Sequence, residues 1–433
     1  MAAQEKARNE TMAEPEFAAL IGVDWADEKL DICLMPCGEK GRREKGVIPH
    51  RPEALAEWVA GLRQRFGGRQ VALALEQSKG PLIWALMHYE FVVLYPIHPK
   101  TLARFREAFA PSQAKDDPTD AEFALELLAK HRDRLRAWKP DDVHTRALAL
   151  LSEARRHAVD LRTELSNQLT ACLKGYFPQA LDWAGETIYS PMACDFLCQW
   201  PTLQKLQRTP AQKIRQFYYG HGCRQGDVIE TRLQAIPKAV ALTQDKAILE
   251  CSVLTVKMLA RQLRALADAI RDYERRLAEL FKNHPDSGLF ANLPGAADAL
   301  SPRLLAAFGS DRDRYESAED LQAYSGIAPV TERSGKSRWV HWRWACPKFL
   351  RQTFQEFAQH SRKSCRWAQA YYEQMIAKGK GHHAAIRALA FKWIRILFRC
   401  WKDRQPYEES RYLAALQKRG SPLHALLANG VET

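Results

Sequence analysis

The sequence predicts an α/β domain followed by a mainly helical region that carries a basic segment near its end. Three observations lead to this fold class. Apolar runs typical of strands alternate with a helical stretch over roughly the first 120 residues. From Arg146 onward, apolar residues recur every three or four positions, which is the period of a helix. Positive charge is concentrated between Arg333 and Arg404.

The strands expected in the first domain are short. Phe17–Trp25, Val71–Leu75 and Phe91–Ile97 are apolar runs that predict buried strands. Leu30–Met35 alternates apolar and other side chains, which predicts a half-exposed strand. Pro52–Arg65 predicts a helix between them. We therefore expect an α/β domain over residues 17–140.

Two runs of apolar residues at helical spacing predict long helices at 141–175 and 248–283. The first run is Leu151, Ala154, Ala158, Leu161 and Leu165. The second is Val256, Leu259, Leu263, Leu266, Ile270, Tyr273, Leu277 and Leu280, whose steps alternate between three and four as in a coiled coil. An ordinary core helix is the alternative. Pairing within the chain and an oligomer interface both remain open, and residues 176–247 are expected to form an inserted subdomain.

Composition excludes several classes of protein. Of the 433 residues 46% are hydrophobic and 27% charged, which excludes a disordered or collagen-like chain. No apolar run reaches the ~18 residues of a membrane span, and the first 15 residues lack the apolar core of a signal peptide. A cytoplasmic protein with ten reduced cysteines is expected. The net charge of +13 points to a polyanionic partner.

The basic segment Arg333–Arg404 contains seventeen Lys or Arg against three acids. It also contains six of the twelve tryptophans. Cations interleaved with aromatic rings favour nucleic-acid binding through phosphate neutralisation and base stacking. The alternative is a solvated helix face in front of a tryptophan-containing core.

Four acids follow the expected strands and open a helix. Asp24 ends the first strand, Glu76 follows the second buried one, and Asp117 and Asp120 are three residues apart at the start of a helix. Carboxylates that converge in this way suit Mg²⁺, which prefers hard oxygen ligands. Each acid alone is also typical of a turn or a helix cap, and for Asp116 a helix cap or a solvated neighbour of the site is the alternative.

The segment around Ser334 combines a hydroxyl with a glycine and with three cations, Arg333, Lys336 and Arg338. A serine in such an electropositive loop can attack a phosphodiester. On spacing alone, however, Ser-Gly first indicates a turn. His341 is a candidate general base, and Tyr324 at a helix end is expected to be a core residue.

The chain resembles the DEDD transposases of bacterial insertion sequences, which are relatives of the Piv-type DNA invertases and are bridge-RNA-guided recombinases. The resemblance rests on the segments IGVDWADEKLDICL, ALEQS and AKDDPTDA near the start and LPGAADALSPRLLAAFG and AYSGIAPVTERSG near the end. It covers roughly 17–135 and 286–400. It implies an α/β RNase H-like (RuvC-like) N-terminal domain, coiled-coil helices and an all-α C-terminal transposase domain at 286–404. A disordered tail at 1–16 and a polar tail at 405–433 would flank these parts.

The resemblance also implies site residues. The family's acidic tetrad falls on Asp24, Glu76, Asp117 and Asp120, which would bind Mg²⁺, and its nucleophilic serine falls on Ser334. Ser325 and Ser337 are competing hydroxyls. The serine would form a covalent bond to DNA phosphate, in a composite site shared by the protomers of a homo-oligomer, a dimer or a tetramer. The basic side chains expected to contact nucleic acid are Arg333, Lys336, Arg338, Arg343, Lys348, Lys378, Lys380 and Arg387.

The implied partners are donor DNA, target DNA and a structured non-coding RNA that selects both by base pairing. No membrane partner is expected. Two rival functions remain: a RuvC-like nuclease in which water attacks, and a non-catalytic nucleic-acid-binding assembly protein. Two details depart from the usual pattern. Pro294–Gly295 is followed by Ala296–Ala297, where helix-hairpin-helix turns usually have a second glycine, and Asp116 stands where the family often has Ser or Thr, so that either Asp116 or Asp117 could be the metal ligand. Asp117 keeps the three-residue spacing to Asp120 and is the one we choose. Separately, a zinc site from Cys194, Cys198, His221 and Cys223 stays open.

Overall fold

The computed structural model describes residues 16–38, 42–76, 79–109 and 117–429. The chain divides into two compact units, Met1–Pro140 and Asp141–Thr433, which we call unit 1 and unit 2. The tail expected at 1–16 lies outside the described residues except for Glu16.

Unit 1 contains a five-stranded mixed sheet and helices. The strands are β1 Ala19–Trp25, β2 Lys29–Pro36, β3 Glu44–Pro49, β4 Val71–Leu75 and β5 Val92–Pro96. The helices are α1 Pro52–Arg65, α2 Pro81–Leu86, α3 Pro99–Phe109 and α4 Asp117–His131. The strand order is β3-β2-β1-β4-β5, with β2 antiparallel to both neighbours and β4 parallel to β1 and β5. The expected α/β region is confirmed.

Each face of this sheet has its own core. Ile21, Val23 and Leu73 contribute to one core, whereas Leu20 and Ala72, one position away, contribute to the core that contains helix α4. This division follows from the alternation of side chains along a strand. Residues of β1 and β4 at even sequence positions therefore face α4.

The expectation of a half-exposed strand at Leu30–Met35 is wrong. Strand β2 lies between β1 and β3 and is covered on both faces, so Asp31 is 2% exposed and Cys33 fully buried. The alternation in the sequence reflects two different cores rather than a core and solvent.

Unit 2 is mostly helical. Its first helices are α5 Val143–Tyr176, α6 Ala180–Trp183, α7 Pro191–Gln199, α8 Leu203–Gln207, α9 Ala211–Gly220, α10 Gly226–Ala235 and α11 Lys246–Lys282. The remaining elements are α12 Ser287–Phe290, α13 Ala297–Phe308, α14 Ala318–Tyr324, β6 Val330–Ser334, β7 Ser337–His341, α15 Lys348–Ser361, α16 Arg366–Ala377, α17 His382–Asp403, α18 Glu409–Lys418 and α19 Pro422–Asn429.

The two long helices α5 and α11 pack against each other within the chain. Six of the eight predicted apolar positions of α11 are buried, whereas Leu266 and Tyr273 are half-buried. In α5 the predicted series holds only in part: Ala158 is buried, but Leu161 is 37% exposed, and the buried positions also include Leu148, Leu169 and Leu173, which the series left out. One end of this pair lies in a core with α12–α19, and the other end lies in a core with α6–α10.

Two expectations for the end of the chain are wrong. The region after α14 is not all-α, because β6 and β7 form an antiparallel hairpin. Residues 405–433 are not simply a polar tail, because α18 and α19 bury Leu416 and Leu423 in the same core as Trp393. Across the described residues, no helix combines the length and apolarity needed to cross a bilayer.

Candidate functional site

Asp24 and Glu76 lie at adjacent strand ends on one face of the unit 1 sheet. Strands β1 and β4 are parallel, and their register pairs Val23 with Leu75. One residue further on, Asp24 and Glu76 are therefore neighbours at a strand spacing of about 4.8 Å. Both side chains are half-buried. The predicted proximity of these two acids follows directly from the parallel register.

Asp120 lies in the first turn of α4, on the same face of the sheet. A Cβ added to Gly22 would come within 2.0 Å of the Ala121 carbonyl oxygen, so α4 contacts the β1 backbone closely. Gly22 and Asp24 share a face because they are two residues apart. The chain thus brings Asp120 to the face that carries Asp24 and Glu76.

The Asp120 carboxylate has a partner that the sequence did not reveal. Arg106 in α3 donates from Nη1 to both carboxylate oxygens of Asp120, at 2.6 Å each. The Asp120 side chain is 2% exposed and that of Arg106 is 17% exposed. A guanidinium therefore neutralises the carboxylate where a divalent cation would be expected.

The carboxylates are ligands of the type that Mg²⁺ prefers, but the described side chains do not form a complete coordination site. Among the described residues, no three His, Cys, Asp or Glu side chains are grouped as metal ligands. The side chain of Asp117, the fourth expected ligand, and the whole of Asp116 lie outside the described part of the chain. Asp24, Glu76 and Asp120 nevertheless supply the hard oxygen donors that Mg²⁺ prefers.

Asp31 is a further acid at this face. It lies directly opposite Asp24 in the β1–β2 register, with its side chain on the same side. Lys29 Nζ is 2.9 Å from its Oδ2 atom, and the side chain is 3% exposed. The alternation in the sequence predicts an exposed face for β2, so a buried carboxylate at this position was not expected.

Ser334 lies at the tip of the β6–β7 hairpin. It pairs with Ser337 across the two-residue turn Gly335–Lys336, and Gly335 has φ +56°, a region that favours glycine. Every residue of β7 and all of β6 except Val330 is exposed. The Ser-Gly pair is thus a turn, as its spacing indicated, and it also presents an accessible hydroxyl.

The cations around Ser334 are arranged differently from the expected loop. Arg333 and Arg338 are direct partners in the register, and strand alternation places them on the face opposite Ser334. Two like charges directly opposite each other destabilise a hairpin. A bound polyanion would relieve that repulsion, which favours a nucleic-acid contact on this face.

His341 shares the Ser334 face but is held by Glu332. Its Nε2 lies 2.9 Å from Glu332 Oε1. The hydrogen bond to Glu332 raises the pKa of His341, which makes the imidazole a weaker candidate for a general base.

The competing hydroxyls differ in their environments. Ser325 is fully buried and donates to the Gln322 carbonyl oxygen at 3.3 Å, so its role is structural. Ser337 is as accessible as Ser334. Tyr324, expected in the core, is 52% exposed, and that expectation is wrong.

The tryptophans of the basic segment divide into two groups. Trp367, Trp393 and Trp401 are buried in the helical core. In the other group, Trp339 and Trp344 are 53% and 79% exposed, and Trp342 is half-buried. The tryptophan-containing core therefore accounts for three of the six, and the other three are at least partly accessible to solvent.

One of the expected basic contacts, Arg387, lies against the second group. Arg343 and Lys348 follow the hairpin, and the Arg387 guanidinium lies 4.0 Å from the centre of the Trp342 ring. Lys378 and Lys380 are exposed in the turn between α16 and α17.

The turn at Pro294–Gly295 carries backbone strain. Gly295 has φ +75°, and a Cβ there would meet the His360 backbone at 2.6 Å. Ala297 has φ +43°, a conformation that favours glycine. The absence of a second glycine, noted in the sequence, thus falls at a strained position.

The residues considered for a zinc site are engaged in other contacts or buried. His221 Nε2 lies 3.0 Å from Asp195 Oδ2, and its Nδ1 lies 2.9 Å from the Phe217 carbonyl oxygen. Burial raises the pKa of the Cys194 thiol to about 12. Within the described residues, these groups do not form a zinc site.

Comparisons with known proteins match both ends of the chain. A DEDD transposase model built on IS110 elements matches residues 21–178, and the transposase model of the IS116/IS110/IS902 family matches residues 287–373. The "Mini-circle putative transposase for IS117" of Streptomyces coelicolor is 27% identical, over 94% of this chain and 99% of its own length.

Two further relatives come from insertion elements. A 42 kDa protein of element IS900 from Mycobacterium paratuberculosis is 24% identical, over 93% of this chain and 100% of its own length. A 44.8 kDa protein of element IS116 from Streptomyces clavuligerus is 26% identical, over 77% of this chain and 82% of its own length.

Proposed function

Because this chain belongs to the IS116/IS110/IS902 family of transposases, we propose that it exchanges DNA strands through a serine nucleophile assisted by Mg²⁺-binding carboxylates. The observation that carries the proposal is the exposed Ser334 hydroxyl at the tip of a basic hairpin. Asp24 and Glu76 share one face of the unit 1 sheet, and this arrangement supports the proposed role of Mg²⁺-binding carboxylates.

The carboxylates would hold the cation through Asp24, Glu76 and Asp120, with Asp117 as the fourth ligand. Bound there, Mg²⁺ would supply positive charge to a phosphodiester during its displacement. Arg106 would have to release Asp120 first, because both oxygens of that carboxylate now accept from the guanidinium. The mixed sheet with acids at its strand ends also supports a RuvC-like assignment of unit 1.

The serine would act by transesterification. Attack of Ser334 Oγ on the scissile phosphorus forms an Oγ–P bond and breaks one P–O bond of the DNA strand. The serine proton passes to a base, and the departing DNA oxygen takes up a proton. Attack by another DNA hydroxyl reverses the step, joins the new strand and releases the serine. The number of phosphoester bonds is conserved, so no energy source is needed.

We also propose that a structured non-coding RNA guides this exchange of donor and target DNA in a bacterial cytoplasm. The exposed Trp339 and Trp344, which lie beside basic side chains, suit stacking on single-stranded bases. A homo-oligomer, dimer or tetramer, is part of the proposal. Because α5 and α11 cover each other within the chain, the surface left for a partner includes exposed apolar residues such as Leu254 and Met258 on α11.

The test uses the full chain with element DNA, element RNA and Mg²⁺, and it measures covalent protein–DNA adduct on denaturing gels. Ser334→Ala should abolish the adduct and leave DNA binding within about twofold, because only the attacking oxygen is removed. Ser337→Ala is the matched control, since it removes the partner hydroxyl across the same turn. Asp24→Asn should lose both adduct and cleavage.

An adduct that persists in Ser334→Ala would contradict the proposal. Cleavage that survives in Ser334→Ala but not in Asp24→Asn would instead indicate a nuclease in which water attacks. Absence of adduct and of cleavage with the wild type, together with DNA binding that is unchanged in all three variants, would indicate a non-catalytic assembly protein.

A further inference from the structure

The exposed side of α15 lines an open cleft of about 380 Å³. Its walls are formed by Lys348, Arg351, Gln352, Gln355 and Glu356. Counted from Lys348, the other four positions lie three, four, seven and eight residues further along the chain, so all five share one side of the helix. The opposite side of α15 packs into the core through Phe354 and Phe357. The cleft is therefore built on a firmly held helix.

Several hydrogen-bond donors at this cleft lack an acceptor. Arg351 Nη1 and Gln355 Nε2 are shielded from solvent and have no hydrogen-bond partner among the described residues. Outside the lining, Trp342 Nε1 also has no hydrogen-bond partner among the described residues, and the Trp342 ring lies 5.2 Å from the Arg351 guanidinium. A buried donor without an acceptor is destabilising. The two atoms in the cleft lining, Arg351 Nη1 and Gln355 Nε2, are nitrogen donors, so an acceptor-rich ligand would satisfy them.

The charge of the cleft also favours an anion. Its one acid, Glu356, is already bound by Arg156 at 2.8 Å and by the buried Arg303. Within the described part of the chain, neither Lys348 nor Arg351 has a carboxylate in ion-pair distance. Lys348 is also the first residue of the 14-residue helix α15, whose amino-terminal end carries partial positive charge.

We propose that this cleft binds a backbone phosphate of a nucleic-acid strand, with Arg351 as its main donor and with Lys348 and Gln355 as further donors. A phosphodiester supplies two unesterified oxygens, each able to accept more than one hydrogen bond. The open shape of the cleft admits a polymer as well as a single ion. The proposal rests on the proposed function, which supplies a nucleic-acid partner. It adds Arg351 and Gln355 to the expected contact residues.

The experiment measures the affinity of the full chain for labelled DNA and RNA oligonucleotides of one sequence by fluorescence anisotropy. Arg351→Gln should weaken binding of at least one of them about tenfold or more, the loss expected for one charge-assisted hydrogen bond. The matched control is Arg399→Gln, because Arg399 is exposed on α17 within the same basic segment and away from the cleft lining. It should change affinity by about twofold at most.

Arg351→Lys keeps the charge and should recover part of the affinity, which a purely structural role of Arg351 would not explain. Loss with DNA alone, RNA alone or both supports the cleft and identifies the strand. Equal effects of Arg351→Gln and Arg399→Gln on both strands, with an unchanged melting temperature, would overturn it. The adduct assay on Ser334→Ala gives an independent result, so a failure of the cleft and a failure of the proposed function can be told apart.

Discussion

Among single residues, Arg106 and Asp120 matter most for the carboxylate site, because their ion pair decides whether Asp120 is available to a cation. Asp120 is almost fully buried, and Arg106 donates to both of its oxygens. A buried carboxylate without a counter-charge is costly. The arginine therefore stabilises the fold of unit 1 while it occupies a ligand that the proposed chemistry requires.

Replacement of Arg106 by Gln should lower the free energy of unfolding of the protein by about 3–5 kcal/mol, because it leaves the buried Asp120 uncompensated. The measurement is urea unfolding followed by circular dichroism. Lys130→Gln, which breaks the exposed pair with Glu126, should cost less than about 1 kcal/mol.

Mn²⁺, used as a probe for Mg²⁺, should raise the unfolding midpoint of Arg106→Gln more than that of the wild type. The cation would replace the lost positive charge at Asp120. An equal effect on both proteins would mean that the cation does not reach this carboxylate.

The sequence could predict Asp24 and Glu76, because an acid directly after an apolar run marks a strand end. It could not predict Arg106, since an ion pair between residues 14 positions apart on two different helices follows no local period. Asp31 was missed for a related reason. Its burial depends on the third strand, Glu44–Pro49, which has no apolar alternation in the sequence.

Among the secondary-structure elements, helix α4 packs closely on strand β1, and this contact depends on Gly22. Gly22→Ala would place a Cβ 2.0 Å from the Ala121 carbonyl and 2.5 Å from the Leu125 amide nitrogen, so α4 would have to move. We expect a loss of about 1–3 kcal/mol in the free energy of unfolding, typical of overpacking.

The control for this substitution is Gly61→Ala. Gly61 lies inside α1 with open space at its Cβ position, so alanine there should stabilise by about 1 kcal/mol. Opposite signs in urea unfolding are the expected outcome. A stability gain for Gly22→Ala would mean that α4 is not held against β1.

The start of α5 and the end of α11 meet at His284, which is buried. His284 Nδ1 accepts from the Asp286 backbone N–H, so Nε2 carries the proton and faces Thr145 Oγ1 at 2.9 Å. Burial lowers the pKa of His284, although Asp142 and Asp286 oppose the shift. The folded state therefore excludes a proton that the unfolded chain takes up below about pH 6.5.

Since the unfolded state binds more protons, the stability is full above about pH 6.5 and falls as the pH is lowered through that value. The loss should approach at most about 1.4 kcal/mol per pH unit from this group. His284→Gln should flatten the dependence between pH 7.5 and 5.5 in urea unfolding. His157→Gln, an exposed change on α5, should leave it as in the wild type, and equal slopes for all three proteins would contradict the assignment.

Helical elements were easier to predict than the hairpin. The apolar period of α11 is long and its core positions are buried, so the pattern was informative. Strands VTERS and SRWVH are five residues each, mostly exposed, and too polar to show alternation. The Ser-Gly turn was the only local signal of the hairpin, and a turn alone does not predict the strands that flank it.

Charge is distributed unevenly across the whole molecule. The basic segment accounts for a charge as large as the net charge of the entire chain. In the structure, this segment includes the hairpin, where Arg333 and Arg338 oppose each other, and the helices that follow it. If nucleic acid binds here, salt should weaken binding through these side chains rather than through the net charge.

The double variant Arg333→Gln/Arg338→Gln should reduce the slope of log affinity against log salt by about 1.8 for duplex DNA. Two phosphate contacts are lost, and DNA binding therefore releases fewer counterions. The control is Arg271→Gln/Arg275→Gln, which removes the same charge from α11, where each arginine pairs with an aspartate three residues away. Its slope should match the wild type. Equal slopes for the two double variants in anisotropy titrations would mean that net charge, and not the hairpin, binds the polyanion.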